Sequence, residues 1–204
     1  MVLGERNRPL YGPGYIEDVL CGLRFRISPG SFYQVNSEQT QVLYKKVIEA
    51  AGLTGKETII DAYCGIGTIG MCMSQKSGRV IGIELNPKAV KDAKANARRN
   101  GICDIHFIAA DAAAYMSLMA ESGQKVDIIV LDPPRSGCTK EFMEAAVAMA
   151  PKKIIYVSCN PETLGRDLAW FSKAGYIAQE AWPIDMFSFT EHVETVVLIQ
   201  RKDT

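Results

Sequence analysis

From residue 57 onward, short apolar segments alternate with stretches of helical character, and this alternation limits the fold more than any other feature of the sequence. Several segments are almost continuously apolar, as expected for parallel strands covered by helices on both faces. Because no helix separates the last two segments, the last strand should be antiparallel to its neighbour. The pattern predicts an α/β fold with a mostly parallel sheet of seven strands, at residues 57–63, 79–84, 105–109, 126–131, 153–159, 175–184 and 192–199.

The composition agrees with one globular domain. The chain has 204 residues, of which 48% are hydrophobic and 23% are charged. No run of about 18 apolar residues and no signal-peptide core is present, so a cytoplasmic protein without a membrane contact is expected. Lys and Arg number 23, as do Asp and Glu. A protein that holds nucleic acid mainly by neutralising phosphates is usually more basic, so any contact with nucleic acid should be local.

The first 30 residues differ from the rest of the chain. They are rich in Gly and Pro and contain only short strand-like pieces. We therefore expect residues 1–30 to be the tail of an upstream or central domain, or a flap over the main domain at 31–204. In the main domain, Asn36, Asn86 and Asn160 are predicted to cap helix N-termini.

The six cysteines give no sign of a metal centre. They form no CxxC pair and no cluster with His, so no metal site is predicted, and reduced thiols are expected. Most of them fit ordinary structural roles, either in the core or as small residues bordering a cleft. Cys72 and Cys103 are predicted to be buried in the core, and Cys64 and Cys138 to border the cleft.

The end of the first core strand carries a glycine-rich turn. Gly65, Gly67 and Gly70 fit the pattern G-x-G-x-x-G, which lets the backbone approach a ligand at a helix N-terminus. Glu84 ends the next strand, where a carboxylate can accept hydrogen bonds from ribose hydroxyls. Sites for NAD and for S-adenosylmethionine share these features. Asp61 favours S-adenosylmethionine, because a carboxylate before the glycines suits the cationic methionine end.

A rigid loop, LDPPRSG at residues 131–137, follows the fourth strand. Two prolines stiffen it, so Asp132 should project from the carboxyl edge of the sheet, where ligands bind in open α/β folds. Arg135 stands where enzymes that methylate exocyclic amino groups of nucleobases often have an aromatic residue. Its presence argues against that reaction.

Cys159 ends an apolar strand immediately before the helix capped by Asn160. A thiol at a helix N-terminus is expected to form a thiolate readily, which favours Cys159 as a nucleophile.

Glu194 is the candidate general base. Period-two alternation over 192–199 places His192 and Glu194 on one face of an otherwise apolar strand. Burial there should raise the pKa of the Glu194 carboxyl group, as suits a base.

One helix is strongly basic. Between residues 88 and 99 it has five cations and one acidic residue, Asp92. Such a run is usually a solvated face, and contact with RNA phosphates is the alternative. The cations are Lys88, Lys91, Lys94, Arg98 and Arg99.

These groups together fit methylation at carbon 5 of uracil. That carbon becomes nucleophilic when a thiolate adds to carbon 6, and a base must later remove the carbon-5 proton. The sequence resembles the S-adenosylmethionine-dependent RNA uracil-5 methyltransferases of bacterial 23S rRNA and tRNA. The resemblance extends over SFYQVN (31–36), DAYCGIGTIG, IGIELNP, LDPPRSG, SCNPETLGRDL and HVETVVL. It is closest to the 23S rRNA enzymes of Gram-positive bacteria.

The resemblance implies a Rossmann-like class I methyltransferase fold, S-adenosylmethionine as cofactor and RNA as partner, with 23S rRNA favoured and tRNA possible. It also implies that Cys159 is the nucleophile and Glu194 the proton acceptor. A monomer is expected. The cofactor-binding positions are Gln34, Asp61, Tyr63, Gly65, Gly67, Glu84, Asp132 and, as a weaker match, Asp111. Tyr33, Phe187 and Phe189 are core residues in one interpretation and base-stacking residues in another.

The sequence departs from the family in two ways. Family members usually have an upstream oligonucleotide-binding β-barrel, often with cysteines for an iron–sulfur cluster, and neither is found in this sequence. We therefore expect a catalytic-domain fragment. The family's Phe-Pro-x-Thr reads Phe187-Ser188-Phe189-Thr190 here, which affects the loop that presents Glu194.

Two other functions share some of these sequence features. A Rossmann dehydrogenase would leave Asp61, the DPPR loop and Cys159 without a role. An RNA-binding module that keeps the cofactor pocket without turnover is the non-enzymatic alternative, and intact Cys159 and Glu194 argue against it.

Overall fold

A computed structural model describes residues 8–202 of the chain. Within these residues, the strands are β1 (Ile16–Leu20), β2 (Leu23–Ile27), β3 (Thr58–Ala62), β4 (Arg79–Glu84), β5 (Ile105–Ala109), β6 (Ile128–Leu131), β7 (Lys153–Ser158), β8 (Tyr176–Ile184) and β9 (Glu194–Arg201). The helices in the same range are α1 (Ser37–Ala51), α2 (Thr68–Ser74), α3 (Pro87–Arg99), α4 (Ala112–Glu121), α5 (Lys140–Ala148) and α6 (Pro161–Lys173).

Seven strands form one sheet in the order β5-β4-β3-β6-β7-β9-β8. β3 to β7 are parallel, and β9 is antiparallel to both of its neighbours, β7 and β8. The predicted α/β fold is confirmed, including the antiparallel last strand. The order reverses at β3, where β4 and β6 lie on either side. Ligands of open α/β sheets bind at this reversal, beyond the carboxyl ends of the strands.

Two apolar layers cover the sheet, as alternating strand residues require. One face packs against α1, α2 and α3, with residues such as Ile59 and Val157, and the other packs against α4, α5 and α6, with residues such as Ile60 and Tyr156. Helices therefore lie on both faces, as predicted. Among residues 8–202, no helix has the length and apolar character needed to cross a membrane.

The predicted helix caps are confirmed. The side chains of Asn36, Asn86 and Asn160 accept hydrogen bonds from backbone N–H groups in the first turns of α1, α3 and α6. Pro87 and Pro161 follow two of these caps, where a missing N–H costs nothing. Each cap begins a helix close to the carboxyl edge of the sheet.

The strand-like pieces before residue 30 form a separate hairpin of β1 and β2. Leu20, Leu23, Phe25 and Ile27 are buried in the same apolar cluster as α1 and α3. The hairpin therefore packs on one face of the main domain. Residues 1–7 lie outside the described part of the chain.

Candidate active site

Chemically reactive residues collect at one edge of the sheet. Asp61 lies near the carboxyl end of β3, and Glu84 ends β4. Asp132 and Cys159 directly follow β6 and β7. Because β9 runs in the opposite direction, its first residue, Glu194, lies at the same edge. Five strands adjacent in the sheet thus contribute to one site.

The register of β7 and β9 places Cys159 and Glu194 next to each other. Ser158 pairs with Thr195, so Cys159 and Glu194 are the next residues outward on the two strands. The Glu194 side chain is 6% exposed, whereas Cys159 is half-buried. The structure therefore brings together the two residues predicted to be catalytic, although they are far apart in sequence.

Cys159 also borders an open groove of about 610 Å³. The groove is lined by Arg135, Cys159, Asn160, Pro161, Glu162, Glu191, His192, Val193 and Thr195. The thiol is thus accessible from outside, while the Glu194 carboxyl group is buried close to it. A planar ring that enters the groove can approach the sulfur atom.

Burial raises the pKa of the Glu194 carboxyl group, as predicted, and the nearby positive charge of Arg135 partly opposes this. A carboxyl group whose pKa is raised is a stronger base once ionised.

The prediction that Cys159 readily forms a thiolate is wrong for the protein's own environment. Burial raises the pKa of its thiol, and the negative charges of Glu194 and Asp132 raise it further. Arg135 and a backbone hydrogen bond act in the opposite direction but are weaker. The helix N-terminus was visible in the sequence, whereas the two carboxylates become neighbours only through the fold.

Asp61 has one oxygen with a partner and one without. Its Oδ2 accepts a hydrogen bond of 2.8 Å from the backbone N–H of Gly70, and its buried Oδ1 has no hydrogen-bond partner. Burial raises the pKa of Asp61 to about 7, and the charge of Glu84 adds to this effect. A buried carboxylate oxygen without a donor is costly, and a cationic ligand would satisfy it.

Glu84 braces the glycine-rich turn. Its two carboxylate oxygens accept hydrogen bonds from the backbone N–H groups of Gly65, at 3.0 Å, and Asn86, at 2.7 Å. The carboxylate is thus fixed across the carboxyl ends of β3 and β4. Each oxygen has further acceptor capacity for a hydroxyl group.

Glycine is required at two positions of the turn. Gly67 has a φ of 80°, and a Cβ there would lie 2.4 Å from the ring of Phe107. At Gly70 a Cβ would lie 2.7 Å from Oδ2 of Asp61. The glycines of the pattern are therefore required by close packing, against Phe107 at Gly67 and against Asp61 at Gly70.

Asp132 follows β6, the strand between β3 with Asp61 and β7 with Cys159. Burial raises its pKa to about 8, and the charges of Glu194 and Asp61 contribute. The buried Tyr44, whose hydroxyl group is 2.7 Å from the Thr68 hydroxyl oxygen, lies close enough to Asp132 and Asp61 for both charges to act on it. The site therefore gathers acidic groups whose ionised forms a cation would stabilise.

Tyr63 and Asp111 lie on the side of the sheet that carries α4, α5 and α6. The Tyr63 ring is 5.2 Å from that of Phe142, and the residue adopts a φ of 62°, which is unusual for a side chain of this size. Asp111 caps α4 through a hydrogen bond from Ala114, and its charge acts on Tyr63. The two predicted cofactor residues are thus neighbours.

Gln34 lies outside the strand-end cluster. It is buried and lines a cavity of about 710 Å³ between the hairpin and the start of α1, which contains none of the strand-end carboxylates. Two residues later, the Asn36 side chain donates a hydrogen bond of 3.2 Å to the carbonyl oxygen of Met186. This bond ties the segment to the chain just after β8. This cavity shares no lining residue with the groove beside Cys159.

Other expectations were wrong. His192 is exposed in the loop before β9, which begins two residues later than predicted, and so does not share a strand face with Glu194. Cys103 is exposed rather than buried, whereas Cys72 is in the core as predicted. Cys64 and Cys138 are both buried.

The three aromatic residues of uncertain role have different surroundings. Tyr33 donates a hydrogen bond to Asp18, and Phe187 packs against the core. Phe189 is fully exposed and has a φ of 68°, so it is not a core residue. Its backbone is held in a turn by Thr190, whose N–H and hydroxyl groups both donate to the Phe187 carbonyl oxygen.

Two residues of the site have roles that the sequence analysis missed. Arg135 is the cation that acts on both Cys159 and Glu194, and its carbonyl oxygen accepts hydrogen bonds from Asn160 and Thr163 at the start of α6. Asp167 is fully buried and accepts hydrogen bonds of 2.8 Å from the Tyr156 hydroxyl and Cys138 N–H groups. Arg135 lies in the LDPPRSG motif and Asp167 in the SCNPETLGRDL motif, and this position was the only sign of their roles in the sequence.

The chain matches a family of known proteins. The sequence model of the family described as tRNA (uracil-5-)-methyltransferase matches residues 15–202. The chain belongs to this family. The resemblance seen in the sequence is thereby confirmed at the level of the family.

Curated relatives from several bacteria are similar in sequence over almost the whole chain. An RNA methyltransferase of Caldanaerobacter subterraneus, described as uncharacterized, is 49% identical over 201 residues, which cover 98% of this chain and 44% of the relative. One from Listeria monocytogenes is 45% identical over 199 residues, with the same coverage. The chain thus spans less than half the length of these members of the family.

Solved structures support the fold of the tRNA (uracil-5-)-methyltransferase family. A tRNA (uracil-54, C5)-methyltransferase of Pyrococcus abyssi, in complex with S-adenosyl-L-homocysteine, superposes with a TM-score of 0.80 at 33% identity. The match covers 93% of this chain and 45% of the relative. A tRNA m1G37 methyltransferase of M. jannaschii has a TM-score of 0.71 at 14% identity, with coverage of 92% and 55%. This second match shows the fold alone, and the Rossmann-like methyltransferase fold is confirmed.

Proposed function

We propose that this chain is the catalytic part of an enzyme that transfers a methyl group from S-adenosylmethionine to carbon 5 of a uridine in RNA. The observation that carries the proposal is the pair formed by the Cys159 thiol and the buried Glu194 carboxyl group at adjacent strand ends. A uracil in the groove beside them would meet a nucleophile and a base together. Membership of the family supports the same reaction.

The residues present fit the cofactor. The unpartnered Oδ1 of Asp61 would accept from the ammonium group of the methionine part, and Glu84 would accept from the ribose hydroxyls. Asp132 would face the same ligand from β6, with Gln34, Tyr63, Gly65, Gly67 and Asp111 as further contacts. When bound, S-adenosylmethionine supplies an electrophilic methyl group on a positively charged sulfur. Burial raises the pKa values of Asp61 and Asp132, and that cation would stabilise the ionised form of both.

Cys159 and Glu194 divide the chemistry on the uracil ring. The Cys159 thiolate adds to carbon 6, and the electron pair of the carbon 5–carbon 6 bond moves towards the oxygen at carbon 4, so that carbon 5 becomes nucleophilic. After carbon 5 has gained the methyl group, the Glu194 carboxylate accepts its proton. The double bond between carbons 5 and 6 forms again, and the sulfur of Cys159 leaves with its electron pair. Arg135 stabilises the negative charges of both residues.

The thiol needs help to ionise, because its pKa is raised by burial, Glu194 and Asp132. The positive charge of a bound cofactor beside Asp132 would act in the opposite direction and lower the thiol pKa. We therefore propose that binding of the cofactor precedes and favours attack by Cys159.

For the substrate, we propose RNA, with 23S rRNA favoured over tRNA from the sequence motifs. The curated relatives are named RNA methyltransferases, and the Pyrococcus abyssi relative is named for a tRNA uracil. We further propose a monomer that acts in the cytoplasm, in which residues 31–204 form the catalytic domain and residues 1–30 belong to a flap or a preceding domain. The target uridine would leave its base stack to reach Cys159.

The test uses RNA that contains 5-fluorouridine, with the natural protein that includes this sequence. Fluorine at carbon 5 cannot be removed as a proton, so a covalent adduct should accumulate when S-adenosylmethionine is present. Cys159→Ala should abolish the adduct, and Cys103→Ala, a change at an exposed thiol elsewhere, should leave it intact. Absence of an adduct from wild-type protein that binds the cofactor in calorimetry would defeat the proposal and leave a binding module without turnover.

A further inference from the structure

We propose that the basic surface formed by α3 and β2 binds the phosphate backbone of the RNA. We define this surface, the α3–β2 groove, by Arg26, Ser28, Gly30 and Ser31 on one side and Lys88, Lys91, Asp92 and Ala95 on the other. Lys94 and Arg98 extend it along the exposed side of α3. The inference rests on the proposed function, because it assigns RNA to the protein, and it adds a second place where that RNA is held.

The two walls of the groove are fixed to each other by paired amide hydrogen bonds. The fully buried Asn96 side chain accepts from Arg26 N at 2.8 Å and donates to Arg26 O at 3.0 Å. Asn100 makes the same pair with Arg24, at 2.9 and 2.8 Å. These side chains complete the hydrogen bonds of the β2 edge as a neighbouring strand would. The arginines of β2 are thereby held at a constant position relative to α3.

The arginine of the groove wall is held in place, and the groove lining contains one acidic residue, Asp92. Arg26 lies over the ring of Tyr15 at 3.7 Å, so its guanidinium group is restrained. Asp92, the acidic residue of the groove lining, accepts a hydrogen bond from the Ser31 hydroxyl group. Arg99 lies outside the groove and pairs with Glu17 at 2.5 Å. In a chain with 23 basic and 23 acidic residues, this local excess of positive charge is unusual.

The spacing of the cations suits an extended polyanion better than a small anion. Lys88 and Arg98 are ten residues apart on one helix, which corresponds to about 15 Å along its axis. Lys91 and Lys94 lie between them on exposed turns. A single phosphate would contact one or two of these side chains, whereas a nucleic acid backbone can contact the whole row.

The groove also lies where RNA in the active site would pass. α3 begins three residues after Glu84 and packs on the sheet face that carries α1 and α2. The strand before α3, β4, is separated from β7 by β3 and β6, which corresponds to about 14 Å between these two strands. The start of α3 and Cys159 therefore lie at the same edge of the sheet, and an RNA that crosses this edge would pass both.

The test measures the affinity for a fluorescently labelled oligouridylate as a function of salt concentration, with the natural protein that includes this sequence. The test variant is Lys91→Gln/Lys94→Gln. The matched control, Lys56→Gln/Lys76→Gln, removes two exposed lysines close to the opposite edge of the sheet. Each lost phosphate contact should reduce the slope of log K against log salt by about 0.7, so the test variant should lose about 1.4. Its affinity should fall on the order of tenfold at 0.1 M salt.

A slope that is unchanged in the test variant, or equally reduced in the control, would overturn the inference. Binding of S-adenosylmethionine and the yield of 5-fluorouridine adduct at saturating RNA should stay as in the wild type. The two proposals can fail separately: loss of the adduct in wild-type protein rejects the proposed function, whereas the salt slope alone decides the role of the groove.

Discussion

Replacing Asp61 with Asn should make the free protein more stable at neutral pH and weaken its binding of S-adenosylmethionine. Asp61 is 1% exposed, and its Oδ1 has no hydrogen-bond partner. Asn can keep an oxygen in place to accept from Gly70 but carries no charge. The substitution therefore separates the cost of burying a carboxylate from the shape of the side chain.

The magnitude follows from the pKa of Asp61, which rises from 3.8 to about 7. At about 1.4 kcal/mol per unit of pKa, ionised Asp61 costs the folded state about 4 kcal/mol. The amide group of Asn, which has no partner for its N–H groups, costs about 1–3 kcal/mol. We expect Asp61→Asn to be more stable than the wild type by about 1–3 kcal/mol at pH 8.

The sign of the pH dependence follows from the same pKa. Because the folded-state pKa lies above the unfolded value, the unfolded chain loses its proton first as the pH rises. The stability that protonated Asp61 provides is therefore complete below about pH 4 and is lost as the pH rises through about 7. In Asp61→Asn this part of the pH dependence should be absent.

Urea unfolding at a series of pH values measures both effects, and calorimetry measures the cofactor. A charged hydrogen bond is worth about 1.5–3 kcal/mol, so the affinity for S-adenosylmethionine should fall about 10- to 100-fold. A variant with the same stability slope as the wild type between pH 4 and 8 would refute the burial argument. A variant that binds the cofactor as tightly as the wild type would refute the role of Asp61.

Three further predictions concern Cys159, Asp167 and Phe189. Alkylation of Cys159 by iodoacetamide should shift to lower pH in Glu194→Gln, because a charge that raises the thiol pKa is removed; an unchanged profile in peptide mass spectrometry would contradict this. Asp167→Ala should lower the free energy of unfolding by about 2–4 kcal/mol in urea, since two buried donors lose their acceptor, and a loss below about 1 kcal/mol would be inconsistent with that network. Phe189→Ala should leave stability within about 0.5 kcal/mol but weaken RNA binding by about 1–3 kcal/mol through lost stacking, as measured by fluorescence anisotropy; equal RNA affinity would exclude stacking.

Local sequence patterns were sufficient to predict the strands of the sheet. β4 and β5 have the predicted bounds, because each is an apolar run that ends at a turn or a helix cap. β9 begins two residues late because residues 190–193 form a loop held by the Thr190 side chain. The order of the strands depends on packing between distant segments and could not be derived from the alternation.

The position of the site was also predictable in outline. Parallel strands end at one edge, so residues at strand ends such as Asp61, Glu84 and Asp132 had to converge there. The antiparallel direction of β9 brings Glu194 to the same edge. The prediction therefore needed only strand directions, which are a local property in this fold.

The electrostatics of the site were not predictable in the same way. The pKa of Cys159 depends on Glu194 and Asp132, which lie on other strands, so the helix N-terminus alone gave the wrong direction. The hydrogen bonds between Asn96 and Arg26 likewise join residues 70 positions apart. A single sequence contains no local pattern for such pairs.

The most direct measurement of the central claim follows the methyl group in Glu194→Gln, with ordinary uridine RNA and S-adenosylmethionine labelled in its methyl group. Without a base to take the carbon-5 proton, the methylated ring should remain bonded to the protein. We therefore expect labelled RNA joined covalently to the Cys159 peptide, and little free 5-methyluridine. Free 5-methyluridine at the wild-type rate, or label joined to any other residue, would contradict the account.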